Sequence, residues 1–171
     1  GIYLANYNTV TITRCTVQNF TGGIKLQYSN GNLLTGNIVQ ANSYFGIYLW
    51  PSANSNRVIR NQVTSNGYGI ADSSSYNIIA DNTANLNGVG IETWGSLFPT
   101  LTNNNVISNS TGFNIGRIGS GSNVSMSGNT ASLNTAVGIN LYYNSGPCYI
   151  YHNNIYSNAL NVYSTNAIQL S

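Results

Sequence analysis

Charge is scarce in this sequence. The 171 residues include five Lys or Arg, three Asp or Glu and one His, so about 5% are charged, whereas an average soluble domain carries roughly 25%. No run of Lys or Arg provides the basic surface that phosphate groups require, so we expect no nucleic-acid partner. Asn, Ser, Thr or Gly interrupts every aliphatic stretch well short of the ~20 residues of a membrane span, so we expect no membrane insertion.

Metal-binding residues are equally sparse. The chain has one His (His152), one Met (Met126) and two Cys (Cys15 and Cys148), and soft metals need such ligands in a cluster. A calcium site would require several oxygen ligands with carboxylates among them. The sequence therefore predicts no metal site and no cofactor.

What the sequence does contain is a repeat of about 23 residues. Strings related to Gly-Ile-x-Leu begin at residues 1, 23, 46, 69, 90, 112 and 138, and a degenerate copy begins at residue 161, which gives spacings of 22, 23, 23, 21, 22, 26 and 23. The chain is thereby divided into seven coils and a partial eighth.

A second string, Asn-x4-Asn, supports the same register in six of the seven coils. Coil one carries Cys15 and Phe20 in place of the two Asn residues. Asn tolerates the left-handed backbone that a corner needs, and its amide both donates and accepts hydrogen bonds along a stack, so we assign these residues to structural ladders inside the protein. The two columns are Asn37, Asn61, Asn82, Asn104, Asn129 and Asn153, and Asn42, Asn66, Asn87, Asn109, Asn134 and Asn158.

Within each coil the apolar residues alternate with a period of two, which is typical of β-strands. Short segments rich in β-branched residues are bounded by Asn, Gly and Ser, and one coil alone cannot bury its apolar side. The sequence therefore predicts an all-β fold, a solenoid of stacked parallel sheets, with residues 1–171 forming a single domain. No polar cap is apparent at either end, so we expect either a longer solenoid or ends covered by neighbouring molecules.

On the Gly-Ile-x-Leu and Asn-x4-Asn strings, the sequence resembles the right-handed parallel β-helix repeats of NosD-like and other secreted proteins with carbohydrate-binding and sugar-hydrolase modules. The resemblance covers nearly the whole chain and implies a single-stranded, right-handed parallel β-helix. Proteins with similar repeats include polysaccharide lyases, hydrolases, epimerases, phage tailspikes and non-catalytic surface proteins, so the fold alone does not choose an activity.

The two cysteines lie in coils one and seven, on the order of 29 Å apart at ~4.8 Å per coil, so they cannot form a disulfide within the chain. We expect Cys15 to be buried. Cys148 follows Gly146 and Pro147 in an expected turn, where reaction or pairing between molecules is open to it.

The acidic residues are Asp72, Asp81 and Glu92, whereas glycoside hydrolysis uses two carboxyl groups ~5–9.5 Å apart. The repeat register points Asp72 into the core and Glu92 outward, and it places Asp81 beside Arg60 of the preceding coil as a surface ion pair. No catalytic residue is therefore assigned.

The outward positions of the first strand in each coil are rich in aromatic residues. The third and fifth slots include Tyr3, Tyr48, Trp50, Trp94 and Tyr142, whose rings are suited to stacking on sugars or packing against another protein. Alternatively, loops 51–55 and 95–99 cover the two Trp side chains.

These observations predict a non-enzymatic structural or adhesive protein that is secreted or displayed on the cell surface. Its expected partners are other copies of itself, because little charge opposes association, and polysaccharide at the aromatic residues. The alternative is a polysaccharide-processing module, a lyase, hydrolase or epimerase.

Overall fold

The computed structural model describes residues 1–165, and every regular element in that range is a β-strand. No helix among these residues has the length and apolarity needed to cross a membrane. The strands assemble into three parallel sheets that run along the stack of coils. The predicted all-β solenoid of about seven coils, and the resemblance to parallel β-helix repeats, are confirmed.

Each complete coil contributes one strand to each sheet. The first three coils contain β1 (Ile2–Ala5), β2 (Thr11–Thr13), β3 (Thr16–Gln18), β4 (Gly22–Gln27), β5 (Leu33–Thr35), β6 (Ile38–Gln40), β7 (Phe45–Leu49), β8 (Arg57–Ile59) and β9 (Gln62–Thr64). The next two contain β10 (Tyr68–Asp72), β11 (Ile78–Ala80), β12 (Thr83–Asn85), β13 (Val89–Trp94), β14 (Thr100–Thr102) and β15 (Asn105–Ile107). The last described coils contain β16 (Thr111–Gly116), β17 (Val124–Ser127), β18 (Thr130–Ser132), β19 (Val137–Tyr142), β20 (Cys148–Tyr151), β21 (Asn154–Tyr156) and β22 (Leu160–Ser164).

Sheet A consists of β1 and every third strand after it up to β22, sheet B runs from β2 to β20, and sheet C runs from β3 to β21. Equal positions of successive coils pair directly, as in Ile24 with Ile47 and Ile70 with Ile91. Identical inner slots therefore stack into apolar columns, and these aliphatic side chains form one continuous buried core.

The two predicted Asn columns form hydrogen-bonded ladders at the corners on either side of sheet C. In a typical rung, the Asn61 Oδ1 accepts from the backbone N–H of Asn37 at 3.0 Å and from its Nδ2 at 2.9 Å. The Asn61 Nδ2 donates to the Asn82 Oδ1 and to the carbonyl oxygen of Leu34, both at 3.0 Å. Each interior rung thus satisfies a buried amide on both sides, which avoids the cost of unpaired polar groups.

The ladder Asn residues do not adopt the left-handed backbone themselves, contrary to our expectation. At the corner between sheets B and C, it is the residue just before each ladder Asn that has positive φ, as in Arg60, Asp81, Asn103 and His152. The Asn side chain must point inward to form the ladder, so the preceding residue makes the bend, and Gly36 supplies it in coil two.

A third Asn ladder escaped the sequence analysis. Asn32, Asn56 and Asn77 stack at the corner between sheets A and B, with the Asn56 Oδ1 accepting from the Asn32 Nδ2 at 3.0 Å and the Asn77 Oδ1 accepting from the backbone N–H of Asn56 at 2.7 Å. Each of these residues lies five positions before a ladder Asn already identified, so an Asn-x4-Asn-x4-Asn string would have revealed it. The next coil carries Pro99 at this position, and there the ladder ends.

Both cysteines differ from their expected environments. Cys15 is half-buried, not buried, because coil one provides no outer neighbour to cover it. Cys148 lies in β20 with its side chain buried, not in an exposed turn, and burial raises the pKa of its thiol to about 11. A buried, protonated thiol is a poor nucleophile, so reactivity or pairing between molecules is no longer expected of Cys148.

Candidate functional site

The outer surface of sheet A carries the predicted aromatic residues Tyr3, Tyr48, Trp50, Trp94 and Tyr142, and we call this surface the aromatic face. The strand register aligns Tyr3, Lys25 and Tyr48 in one column and Trp94, Gly116 and Tyr142 in a second. Trp50 and Trp94 each retain 37% exposure, so the loops that follow them do not cover them. The two Trp positions of the face are open to solvent, whereas Ala71, in the outward column between Tyr48 and Glu92, is buried.

At one end of the face, an aromatic cluster surrounds a cation. The Lys25 Nζ lies 4.0 Å from the ring centroid of Trp50 and 5.1 Å from that of Tyr3. Tyr48 contacts Trp50 edge-on with the ring centroids 5.0 Å apart. Such cation–π contacts contribute about 0.5–1 kcal/mol at exposed sites. We call these four residues the Lys25 platform.

The other end repeats this arrangement with an arginine. The Arg117 guanidinium carbon lies 4.6 Å from the ring centroid of Trp94, and the Trp94 and Tyr142 centroids are 5.4 Å apart. Gly116, which pairs with both residues in register, leaves the room that the Tyr142 ring occupies, because a Cβ at this position would overlap the ring. We call Trp94, Gly116, Arg117 and Tyr142 the Arg117 platform.

A polar strip continues from the middle of the face toward the second platform. The Asn114 Nδ2 donates to the Glu92 Oε1 at 2.8 Å, and the Asn140 Nδ2 donates to the Asn114 Oδ1 at 2.8 Å. The chain of bonds ends at the Asn140 Oδ1, a buried acceptor without a hydrogen-bond partner among the described residues. Partial burial raises the pKa of Glu92, and the hydrogen bond from Asn114 opposes the rise.

Tyr48 and Tyr142 are neutral hydrogen-bonding groups at physiological pH. Burial, and to a smaller extent the nearby Glu92 carboxyl, raises the pKa of Tyr142 to about 12. Burial also raises the pKa of Tyr48. Their hydroxyl groups can therefore both donate and accept hydrogen bonds.

Asp72 points into the core, as its slot predicts, on the opposite side of sheet A from Glu92. Its Oδ1 accepts from the backbone N–H of Ser74 at 3.0 Å and from the Asn77 Nδ2 at 2.9 Å, so the carboxyl group terminates the third Asn ladder. The Asp72 Oδ2 and the hydroxyl of its cross-strand neighbour Thr93 have no hydrogen-bond partners among residues 1–165. Burial raises the pKa of Asp72 to about 7. Asp72 and Glu92 therefore form no carboxyl pair.

Asp81 lies outside the aromatic face. It borders a shallow hollow on the outside of sheet B together with Arg57 and Arg60. The expected ion pair between Asp81 and Arg60 is absent from the described part of the chain. Both residues use the left-handed backbone at the corner, which sends their exposed side chains into solvent.

Three parallel sheets, inner Asn ladders and an open outer sheet surface define this chain as a parallel β-helix protein. Residues 1–114 match the family described as "Periplasmic copper-binding protein (NosD)", and the chain belongs to this family. No curated protein sequence matches it significantly.

Among solved structures, the chain is similar to the A-module of the mannuronan C-5 epimerase AlgE6 from Azotobacter vinelandii. The sequences are 15% identical and the TM-score is 0.56; the match covers 100% of this chain and 53% of that one. The chain thus spans about half the length of the epimerase module, and at this identity the likeness concerns the fold alone.

The copper named in the family description does not fit the donors of this chain. Residues 1–165 contain no group of three or more His, Cys, Asp or Glu side chains able to hold a metal ion. Met126 is enclosed in the core, Cys148 is buried with a raised pKa, and Cys15 is six coils away. Copper sites require such soft ligands together.

The sequence identified the aromatic residues but missed the residues that organise them. Lys25, Asn114 and Arg117 lie in or beside the same outward slots as Glu92, which the register had already turned outward, and they could have been found by reading each column in full. Gly116 gave no signal of its own, because its role depends on where the Tyr142 ring lies.

Proposed function

We propose that this protein is a non-catalytic β-helix on the outer side of the cytoplasmic membrane that binds polysaccharide along its aromatic face. The observation that carries the proposal is the placement of both Trp side chains, exposed, on one sheet surface. The periplasmic description of the family supports the location. Within that location, we propose that the protein is secreted or displayed at the cell surface.

The geometry of the face suits an extended sugar chain. Trp50 and Trp94 belong to coils two steps apart, which places them roughly 10 Å from each other along the stack, close to the length of a disaccharide. Aromatic rings offer flat apolar surfaces for sugar rings. The amides of Asn114 and Asn140, in the two coils that follow Trp94, and the tyrosine hydroxyls supply hydrogen-bonding groups beside the rings.

A polysaccharide-processing enzyme is the rival proposal, and the similarity to an epimerase module supports it only at the level of the fold. Acid–base chemistry on a sugar with paired carboxyl groups needs two of them on one side of the bond. Within residues 1–165, Glu92 is the single carboxyl group on the aromatic face. This arrangement favours binding without turnover.

Intrinsic fluorescence provides a direct test, because the two Trp residues of the chain both lie on the face. We expect a panel of soluble polysaccharides to include one that shifts the emission, with the affinity falling at least fivefold in Trp50→Ala and in Trp94→Ala. Tyr149→Ala removes an exposed ring from β20 in sheet B and serves as the matched control. Binding that none of the three variants changes would refute the proposal, and release of sugar products would establish the rival.

A further inference from the structure

We infer that the polysaccharide bound by the aromatic face is a polymer of uronic acids, which carries carboxylate groups along its chain. This inference rests on the proposed function and narrows it to one class of ligand. It begins from the two cations on the face, Lys25 and Arg117.

Each cation lies over a ring that a sugar would use. Lys25 covers Trp50, and Arg117 covers Trp94. A neutral sugar that stacked on either covered ring surface would first have to displace the charged group. An acidic sugar can instead lie beside the ring while its carboxylate pairs with the cation in place, and the guanidinium fork of Arg117 is suited to a two-point contact with a carboxylate.

The spacing of the cations fits a repeated anionic ligand. Lys25 is in the second coil and Arg117 follows β16 of the sixth, so four rises separate them by roughly 19 Å along the stack. A polymer with a carboxylate on every sugar can reach both cations at once, which raises the effective concentration of the second contact. A single sugar reaches only one platform.

Glu92 lies between the two cations and opposes such a ligand. Its carboxyl group is held by Asn114 on the outer side of sheet A. Replacing Glu92 by Gln keeps an acceptor for Asn114 and removes the negative charge. The same surface thus offers substitutions with opposite expected effects on an anionic polymer.

The test compares polygalacturonate with its fully methyl-esterified form, which has the same sugar backbone without charge, by tryptophan fluorescence of the intact chain at low salt. We expect the acid form to bind at least tenfold more tightly. Lys25→Gln and Arg117→Gln should each reduce this preference at least threefold, whereas Glu92→Gln should increase it. Arg57→Gln, which removes a cation from sheet B, is the matched control and should change nothing.

The outcomes separate the two proposals. Equal or tighter binding of the ester would overturn the inference while leaving polysaccharide binding intact, and so would an equal loss of affinity in Arg57→Gln and Arg117→Gln. If neither polymer nor any neutral polysaccharide binds, the proposed function itself is wrong.

Discussion

At the scale of single residues, the buried carboxyl group of Asp72 lowers the stability of the fold when it is ionised. Its pKa rises to about 7 because it is fully enclosed, so the folded chain binds a proton that the unfolded chain has already released between about pH 4 and pH 7. This contribution to the free energy of unfolding is fully present below pH 4 and is lost as the pH rises to 7. At about 1.4 kcal/mol per pH unit, the loss is roughly 4 kcal/mol at most.

We therefore expect Asp72→Asn to raise the free energy of unfolding at pH 8 by about 2–4 kcal/mol and to change it little at pH 4. An amide at this position still accepts from Ser74 and Asn77 and carries no charge. Urea unfolding followed by tryptophan fluorescence at both pH values measures the difference. Asp81→Asn, at an exposed corner, is the control, and equal stability of Asp72→Asn and the parent at pH 8 would contradict this account.

Gly116 gives a second prediction at this scale. A Cβ would overlap the Tyr142 ring, so Gly116→Ala should displace that ring from Trp94, weaken polysaccharide binding severalfold and reduce stability by about 1–3 kcal/mol. Gly22→Ala on the same sheet places its Cβ in open space and should leave binding unchanged. Titrations of both variants with the same polymer test this, and equal affinities would show that the Tyr142 position is irrelevant.

At the scale of structural elements, the Asn ladders connect the coils. Removing the side chain of Asn61 takes away the partner of the Asn37 backbone N–H, one of the two partners of the Asn37 side-chain amide, which keeps its bond to the Ile12 carbonyl, and the bond donated to the Leu34 carbonyl. At about 1–3 kcal/mol for an unsatisfied buried group, we expect Asn61→Ala to lower the free energy of unfolding by more than 3 kcal/mol.

Asn158→Ala is the matched comparison, because this residue lies in the last rung of the second ladder and is partly exposed. We expect a loss of about 1 kcal/mol there, since water replaces the missing amide. Denaturant unfolding of the two variants checks the contrast. Equal losses in the two variants would mean that burial does not determine how much a ladder Asn contributes to the free energy of unfolding.

These elements also define how much of the structure the sequence could predict. The Gly-Ile-x-Leu register placed Ile24, Ile47 and Ile70 in one column, because parallel stacking forces equal slots to pair. Pro99 marks the end of the third ladder in the sequence, and the register turns Asp72 inward, but only the three-dimensional packing shows that the Asp72 carboxyl accepts from the last Asn side chain, Asn77. The two platforms could be predicted only in part. The repeat register shows that Lys25 faces outward, but only the three-dimensional packing shows that its side chain lies over the Trp50 ring.

At the scale of the whole molecule, the same repeat that builds the core places a continuous ligand surface on its outside. Each coil offers outward slots on sheet A, and the combination of a Trp ring and a cation from an adjacent coil occurs twice, with the Trp residues two coils apart and the cations four coils apart. The low charge of the chain leaves few other anionic or cationic surfaces to compete with this one. The proposed ligand surface therefore follows from the same repeat of about 23 residues that builds the core.

Self-association is the remaining proposal at this scale. With a formal net charge of +2, little repulsion opposes contact between copies. We expect light scattering at neutral pH to show a mass that increases with protein concentration. A constant monomer mass over a hundredfold range of concentration would contradict self-association and would leave the aromatic face as the main interaction surface.

The most direct measurement of the central claim is a titration of the ¹⁵N-labelled protein with polygalacturonate, followed through the indole N–H signals in NMR spectra. The chain has two Trp residues, so two signals report on the two platforms separately. We expect both signals to shift along one binding curve, with smaller shifts for the methyl-esterified polymer. Binding that leaves both indole signals in place would contradict the claim that the aromatic face is the ligand site.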